Sequence, residues 1–478
     1  MVNIIVELSK YTIIILMTAY TFSCFSVFAQ HDIEEKKSIL ARQNGLMFSI
    51  QFIAYLDMFL QTKEFELIFF YLAQVVLLAA TILLYVNIYP KASRLVINNM
   101  CMLLCIGFIM ITRLDYTKAV KQFVFVTASI TISLLVPVLI RRLKFLAKWT
   151  YVYAGVGVIL LLAVAVIGQT SYGAKLGFSI GGISIQPSEF VKILFVFYVA
   201  SSLRQSTDFQ NVVKTTAIAA LHVLILVASK DLGAALIMFV VYLVMLYVAT
   251  HQPLYVLAGL GGGSAAAVAA YFLFGHVRTR VEAWRDPFAV YNDGGYQVAQ
   301  SLFAIGTGGW FGMGLYEGMP DKIPVAESDF IFSAISEELG LIFALCLILV
   351  CVSCYVMFLN IAMQIRNFFY KLIALGLGTC YIFQVFLTIG GVTKFIPSTG
   401  VTLPLVSYGG SSLLSTLIMF GIIQGLYILR EDEEEFIERK KNELRREAGN
   451  QKKGRKRAPQ KTAKKRTKFE AIEKQRIR

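Results

Sequence analysis

Residues 294–340, GGYQVAQSLFAIGTGGWFGMGLYEGMPDKIPVAESDFIFSAISEELG, combine glycine with acid: Asp321, Glu327, Asp329, Glu337 and Glu338 stand between long apolar runs. A carboxylate at such a place can take or orient the proton of a hydroxyl. Asp329 directly precedes the run IFSAISEELGLIFALCLILV, where it either caps a helix or stands at the mouth of a cavity. Glu337 and Glu338 lie two turns deeper, and at least one must face protein, because lipid penalises a charge. Just upstream, Arg278, Arg280 and Arg285 cluster in HVRTRVEAWRDPFAVYNDGGYQ. Guanidinium forks match phosphoryl oxygens, although contact with lipid headgroups explains the same cluster.

Two more charged pairs interrupt apolar sequence. In QPSEFVK, Glu189 and Lys192 are three apart and share a helix face. Pro187 can start that helix, with Ser188 and Glu189 in its first turn, where the helix dipole favours a carboxylate. Capping plus an ion pair accounts for these residues as well as a polar entrance does. In ASKDLGAALIMF, Lys230 and Asp231 separate two apolar runs with no loop between them. They mark either a tight turn or a functional pair within a bundle. A second glycine-rich stretch, GGVTKFIPSTGVTLPLVSYGGSSLL at 390–414, supplies Lys394 and hydroxyls including Ser407. Irregular backbone at membrane depth is tolerated only where protein buries it or it lines a cavity. The two glycine-rich stretches are therefore expected to meet at one cavity.

The elements that must position these residues follow from composition. The chain has 478 residues, 57% hydrophobic and 16% charged, against about 25% charged in ordinary soluble domains. Its apolar residues come in long blocks, so the expected fold is an all-α polytopic membrane protein. Ten spans are expected from residue 95 onward: 95–111, 120–140, 149–168, 188–202, 211–229, 232–249, 255–274, 331–359, 368–389 and 409–429. Two or three more precede them. Runs at 11–29 and 67–89 are clear, whereas 46–60 is marginal in length and holds Asp57. The domains read as 1–94 (extra N-terminal helices), 95–429 (core) and 430–478 (basic tail, expected to be disordered, its first part able to extend the last helix). From Arg430 onward 19 Lys or Arg face 10 Asp or Glu, giving +9 of the formal +15. Such a tail suits an anionic cytoplasmic leaflet better than nucleic acid. The basic loop RRLKFLAK at 141–148 is expected on the cytoplasmic side. Counting from it puts the loops 169–187, 275–330 and 390–408 outside and the C-terminus inside. Three extra helices put the N-terminus outside, and two put it inside. Seven cysteines and four histidines show no metal-ligand spacing, so no dedicated metal site is expected, although a divalent cation could contribute to chemistry.

At this point the residues resemble a family. ISIQPSEFVK at 183–192, KDLGAALIMF at 230–239, WRDPF at 284–288, GGYQVAQSLFAIGTGGWFGMG at 294–314, IPVAESDFIFSAISEELG at 323–340 and IPSTGVTLPLVSYGGSSLL at 396–414 are similar, in this order, to the shape, elongation, division and sporulation (SEDS) family that contains FtsW, RodA and SpoVE. The resemblance covers about 95–429. It departs from the usual pattern at YGAKLGFSIGG, where the one cation is Lys175, and at GGVTKFIPSTG. It implies a peptidoglycan glycosyltransferase that polymerises lipid II, an undecaprenyl-pyrophosphate-linked precursor, outside the bacterial cytoplasmic membrane. The implied partners are a class B penicillin-binding protein and other divisome, elongation or sporulation membrane proteins.

The resemblance assigns the catalytic role to Asp329, as base or as the group orienting the nucleophile, and maps the motif's glutamate and lysine onto Glu189 and Lys192. The candidate substrate-binding set is then Glu189, Lys192, Lys230, Asp231, Arg278, Arg280, Lys394 and Ser407. A flippase for lipid-linked precursors and a membrane scaffold remain alternatives. A flippase needs a polar path to both faces, and a scaffold has no need of Asp329.

Overall fold

An apolar run can cross a bilayer only if each backbone N–H and C=O finds its partner within the segment, which selects helices here. The computed structural model describes residues 2–143, 145–171, 174–180 and 183–455. Three helices come first: α1 (Val2–Ala29), α2 (Ile33–Thr62) and α3 (Glu66–Ile88). The core follows with α4 (Arg94–Leu114), α5 (Tyr116–Arg142), α6 (Thr150–Ile167), α7 (Pro187–Gln205), α8 (Phe209–Ala228), α9 (Leu232–Thr250) and α10 (Pro253–Leu273). Two shorter helices, α11 (Gly275–Arg285) and α12 (Tyr296–Gly308), precede α13 (Ile331–Gln364), α14 (Phe368–Val392) and α15 (Gly410–Arg455). Among the described residues, 11 helices are long and apolar enough to cross a membrane. Helices α2 and α7 fall outside that set because buried polar residues lower their hydropathy: Gln43, Gln51 and Asp57 in one, Ser188, Glu189 and Lys192 in the other.

The ten expected core spans correspond to α4–α10 and α13–α15, and three helices precede them rather than two. The segment 275–330, read as a loop, folds α11 and α12. The segment 169–187, also read as a loop, holds an antiparallel meander of β1 (Gln169–Ser171), β2 (Ala174–Ile180) and β3 (Ile183–Ile185). Contacts divide the chain into two units, Met1–Ile428 and Leu429–Arg478. In the second, α15 runs to Arg455 with i,i+4 pairing such as Arg439–Glu435 at 2.6 Å. Residues 430–455 continue the last helix, and 456–478 lie outside the described residues.

Two packing features position the site. Every residue of α4 from Leu95 to Thr112 is buried. Its polar side chains are met by the preceding helices and by α13: Asn98 donates to Gln43 at 3.0 Å, Asn99 accepts from Tyr20 at 3.1 Å and donates to Ser353 at 3.2 Å, and Thr112 meets Tyr55 at 2.9 Å. The second feature is a break in α13 at Gly340, whose φ of 85° and ψ of 167° only glycine adopts readily. Residues 309–314 fill the break. Leu341 N–H donates to Gly309 O at 2.9 Å and Ile342 N–H to Trp310 O at 3.2 Å, while Met313 and Gly314 donate to Glu337 O and Glu338 O, each at 2.9 Å. The broken helix ladder is thus completed by the loop. Most of the glycine in 308–314 serves this junction and not a cavity wall.

Candidate functional site

Helix α7 begins with Pro187, and its first turn points Glu189 and Lys192 into the bundle. The Lys192 ammonium lies 3.0 Å from Glu189 Oε2 and donates to Gln384 Oε1 at 2.8 Å. Ser415 Oγ donates to the same Glu189 oxygen at 2.9 Å. A buried ion pair is tolerated when its remaining donors and acceptors find partners; Gln384 of α14 and Ser415 of α15 supply one each.

The start of α9 supplies the next carboxylate. Asp231 caps this helix, accepting from Ala234 N–H at 3.1 Å, from Ser188 Oγ at 2.9 Å and from Gln186 Nε2 at 3.3 Å. Burial pushes its carboxyl up, and the Ala234 and Ser188 hydrogen bonds hold it down. Lys230 points elsewhere. It is exposed and adopts a φ of 65°, which is costly for a residue with a Cβ. The two residues are adjacent in sequence but do not act as a pair.

Asp329 does not cap α13. The cap position is Phe330, with no side-chain cap hydrogen bond. The Asp329 carboxylate instead accepts from Ser328 Oγ at 2.7 Å. Its other oxygen, Oδ2, lies 3.3 Å from where a Cβ on Gly400 would sit, and an Arg280 Nη lies 3.6 Å from the same point. Any side chain at 400 would crowd both the carboxylate and the guanidinium, and the φ of 69° there also favours glycine. Arg280 Nη1 donates to Ser398 O at 3.2 Å. Burial pushes the Asp329 carboxyl up, while Ser328 and Arg280 hold it down and Glu327 pushes it up further. Burial likewise depresses the Arg280 guanidinium, against the pull of Asp329 and Asp231.

The segment bearing Asp329 is fixed from behind. Ser407 Oγ donates to Ser328 O at 2.6 Å and accepts from Leu403 N–H at 2.9 Å. Tyr408 N–H donates to Glu327 O at 2.8 Å, and Lys118 pairs with Glu327 at 2.6 Å and with Asp115 at 3.2 Å. Ser407 is buried, so it holds this segment and does not face a ligand. Residues 327–329 and 398–408 are where the two glycine-rich stretches meet.

A cavity of about 540 Å³ lies beside this junction. Glu189, Lys192, Asp231, Gly400 and Ser412 line its polar side, and Val120, Val124 and Phe125 of α5 line the apolar side. Val120 and Val124 are also 39% and 60% exposed, so the apolar wall is open and not sealed within the bundle. Arg278 is exposed and stacks over Tyr271 at 5.7 Å. Lys394, half-buried with a φ of 59°, has its carbonyl held by the Trp284 indole N–H at 3.2 Å. Arg278, Arg280, Asp329 and Lys394 do not line the cavity, although Asp329 and Arg280 flank its lining residue Gly400. Lys121 does, yet it escaped the reading of the sequence, as did Lys118. A signal existed: both stand at the start of α5, where the helix dipole disfavours cations. Among the described residues no group of three or more His, Cys, Asp or Glu side chains is placed to hold a metal ion.

The comparisons with known proteins agree with this architecture. A family profile described as a cell cycle protein, FtsW/RodA/SpoVE, matches residues 93–431. The peptidoglycan glycosyltransferase RodA of Mycobacterium leprae is 34% identical over 360 residues, covering 70% of this chain and 77% of that protein. A probable peptidoglycan glycosyltransferase FtsW of Saccharophagus degradans is 34% identical over 293 residues, covering 58% and 75%. Among solved structures, a chain from a peptidoglycan synthase complex superposes with a TM-score of 0.61 at 24% identity, covering 71% of this chain and 98% of that one. RodA of Thermus thermophilus superposes at 0.55 with 23% identity, covering 70% and 96%. At these identities the two structures speak for the fold. Helices α1–α3 precede the matched segment. With the match spanning α4 through the membrane part of α15, the chain belongs to the FtsW/RodA/SpoVE (SEDS) family of multi-pass membrane proteins, glycosyltransferases of peptidoglycan synthesis in cell division and cell shape.

Proposed function

We propose that this chain polymerises lipid II at the outer face of the cytoplasmic membrane, in complex with a class B penicillin-binding protein. The observation that carries the reading is the approach of Asp329 and Arg280 to Gly400, at the edge of a cavity whose polar side holds Glu189, Lys192 and Asp231. Polar groups gather there at one end of the bundle, as a transferase requires. The basic loop at 141–148 assigns that end to the outside and puts residue 429 and the basic segment after it in the cytoplasm.

In the reaction, the 4-hydroxyl oxygen of one sugar attacks C1 of another. The C4-oxygen-to-C1 bond forms, the C1–phosphate oxygen bond breaks, and C1 inverts. The hydroxyl proton passes to Asp329 and then to water. A carboxylate raised by burial is a better base near neutrality than an ordinary one. The electron pair of the broken bond leaves on the lipid pyrophosphate, whose growing charge needs preorganised cations. Lys121 and the Lys192 donor that is left over meet that need at the cavity, with Arg280 beside Gly400 at its edge and Arg278 and Lys394 farther out.

The test is polymerisation of labelled lipid II by the purified chain with its penicillin-binding protein. Asp329→Ala is expected to lose at least about 100-fold in rate. Equal polymer from variant and wild type removes Asp329 from the chemistry. Lipid translocation in vesicles without any polymer would favour a flippase.

A further inference from the structure

We propose that Gln384, in α14, is the positioning residue that ties the Glu189–Lys192 ion pair to the Gly400–Thr402 segment beside Asp329. One amide then sets the separation between the two charged poles of the cavity. Gln384 is fully buried and does not itself line the cavity.

Its amide is used at both ends. Oε1 accepts from Lys192 Nζ at 2.8 Å. Nε2 donates to Thr402 O at 3.1 Å, with Ser412 Oγ at 3.4 Å. Only this orientation works, because the flipped amide would set its N–H groups against an ammonium and its oxygen against a carbonyl. One turn along α14, Thr388 Oγ1 donates to Val401 O at 2.9 Å. Two successive carbonyls, 401 and 402, are therefore held from α14, and the residue before them is Gly400, which Asp329 and Arg280 flank. Thr402 Oγ1 and Ser412 Oγ, 2.8 Å apart, continue the link to α15.

The consequence for Lys192 is specific. An ammonium has three donors. Glu189 Oε2 takes one at 3.0 Å and Gln384 takes a second. With Lys192 2% exposed and lining the cavity, the third donor is left for a cavity ligand, and the two fixed bonds aim it. Loss of the amide frees the lysine and loosens the 400–402 segment together. Removing Lys192 or Asp329 alone would perturb one pole and leave the other in place.

The kinetic arm of the test rests on the glycosyl-transfer reading, and the exchange arm does not. The full chain with its class B penicillin-binding protein is assayed on labelled lipid II as wild type, Gln384→Met and Gln384→Glu. Gln384→Met is expected to lower kcat by about 10- to 100-fold, the scale of a misplacement near 1 Å, with a smaller change in KM. Gln384→Glu keeps the acceptor for Lys192 but, when ionised, lacks a donor for Thr402 O. Its activity relative to wild type should therefore rise from mildly alkaline to mildly acidic buffer, as the introduced carboxyl gains a proton to donate. Matching thermal unfolding of Gln384→Glu and wild type shows that the fold is kept. In the second arm, amide hydrogen exchange over residues 399–404 of Gln384→Met is expected to quicken. A wild-type kcat in Gln384→Met, a pH-independent ratio for Gln384→Glu, or unchanged exchange would each overturn the proposal. Quickened exchange in a protein that makes no polymer would support the tie while removing the glycosyl-transfer reading.

Discussion

At the scale of single residues, the buried Asp329 carboxyl costs the fold stability. Its carboxyl titrates above the ordinary aspartate value because it is buried. An acid whose folded pKa lies above its unfolded one stabilises the fold fully only at low pH, and that contribution is lost as pH rises through the folded pKa. Asp329→Asn, which removes the ionisation, is therefore expected to unfold at a higher temperature than wild type at neutral pH while losing polymerisation. A lower or equal unfolding temperature would contradict the burial argument. Arg280 holds the Asp329 carboxyl down, so Arg280→Met should move the acid limb of the rate profile to higher pH. A limb that stays in place would mean that the two groups are uncoupled in solution. Little of this was legible in sequence. The motifs named Glu189, Lys192, Asp231, Asp329 and Arg280; the fold puts the first three on the cavity and the last two beside Gly400. Ser407 and Lys230, equally prominent in the string, face away from the cavity, and that difference lies in side-chain direction, which spacing does not encode.

At the scale of elements, the break in α13 is the most exacting structure. A Cβ on Gly340 would stand 2.4 Å from Gly312 N, and its backbone conformation alone costs other residues about 1–3 kcal/mol. Gly340→Ala is expected to lower the unfolding temperature markedly without changing any charged residue; near-wild-type melting would show that the junction can relax. Beside it, Arg113 pairs with the fully buried Glu338 at 2.9 Å and stacks on Tyr316 at 4.2 Å. Arg113→Ala strands that carboxylate and should cost about 3–5 kcal/mol in denaturant unfolding, whereas Arg113→Ala with Glu338→Gln should recover part of it. Hydropathy revealed the spans because the bilayer imposes length and composition together. It missed α11, α12 and the meander because water imposes neither. It made α2 look marginal because Gln51 and Asp57 find partners inside the protein: Gln51 donates to Gln74 at 3.1 Å, and Asp57 accepts from Ser9.

At the scale of the whole molecule, the three N-terminal helices are part of one packed unit with the core. Their ends also grip the loop that fills the α13 break. Gln61 donates to Glu317 at 3.3 Å, and Tyr11 lies 5.6 Å from Phe311, ring to ring. The start of α1 and the end of α2 thus lie on the same face as Asp329. A cysteine at position 3 is expected to react with an impermeant thiol reagent added outside cells, and one at position 31 is not. The reverse pattern would invert the proposed orientation. The described native cysteines are all buried, which keeps the background low. A chain starting at residue 93 should fail to fold even though it keeps the whole family match, because Asn98 and Thr112 would lose their partners to lipid and Asn99 would keep only Ser353.

The exposed valines that line the cavity have a consequence for how substrate is counted. If the lipid tail lies along Val120 and Val124, the substrate reaches the site by diffusing within the leaflet. The concentration that matters is then molecules per unit area of membrane, and an apparent affinity quoted per litre would change with the amount of bilayer in the assay. Diluting the same quantity of lipid II into more vesicle lipid should slow the enzyme at constant volume. A water-soluble headgroup lacking its tail, deprived of that two-dimensional enrichment, should compete weakly even with every polar contact intact.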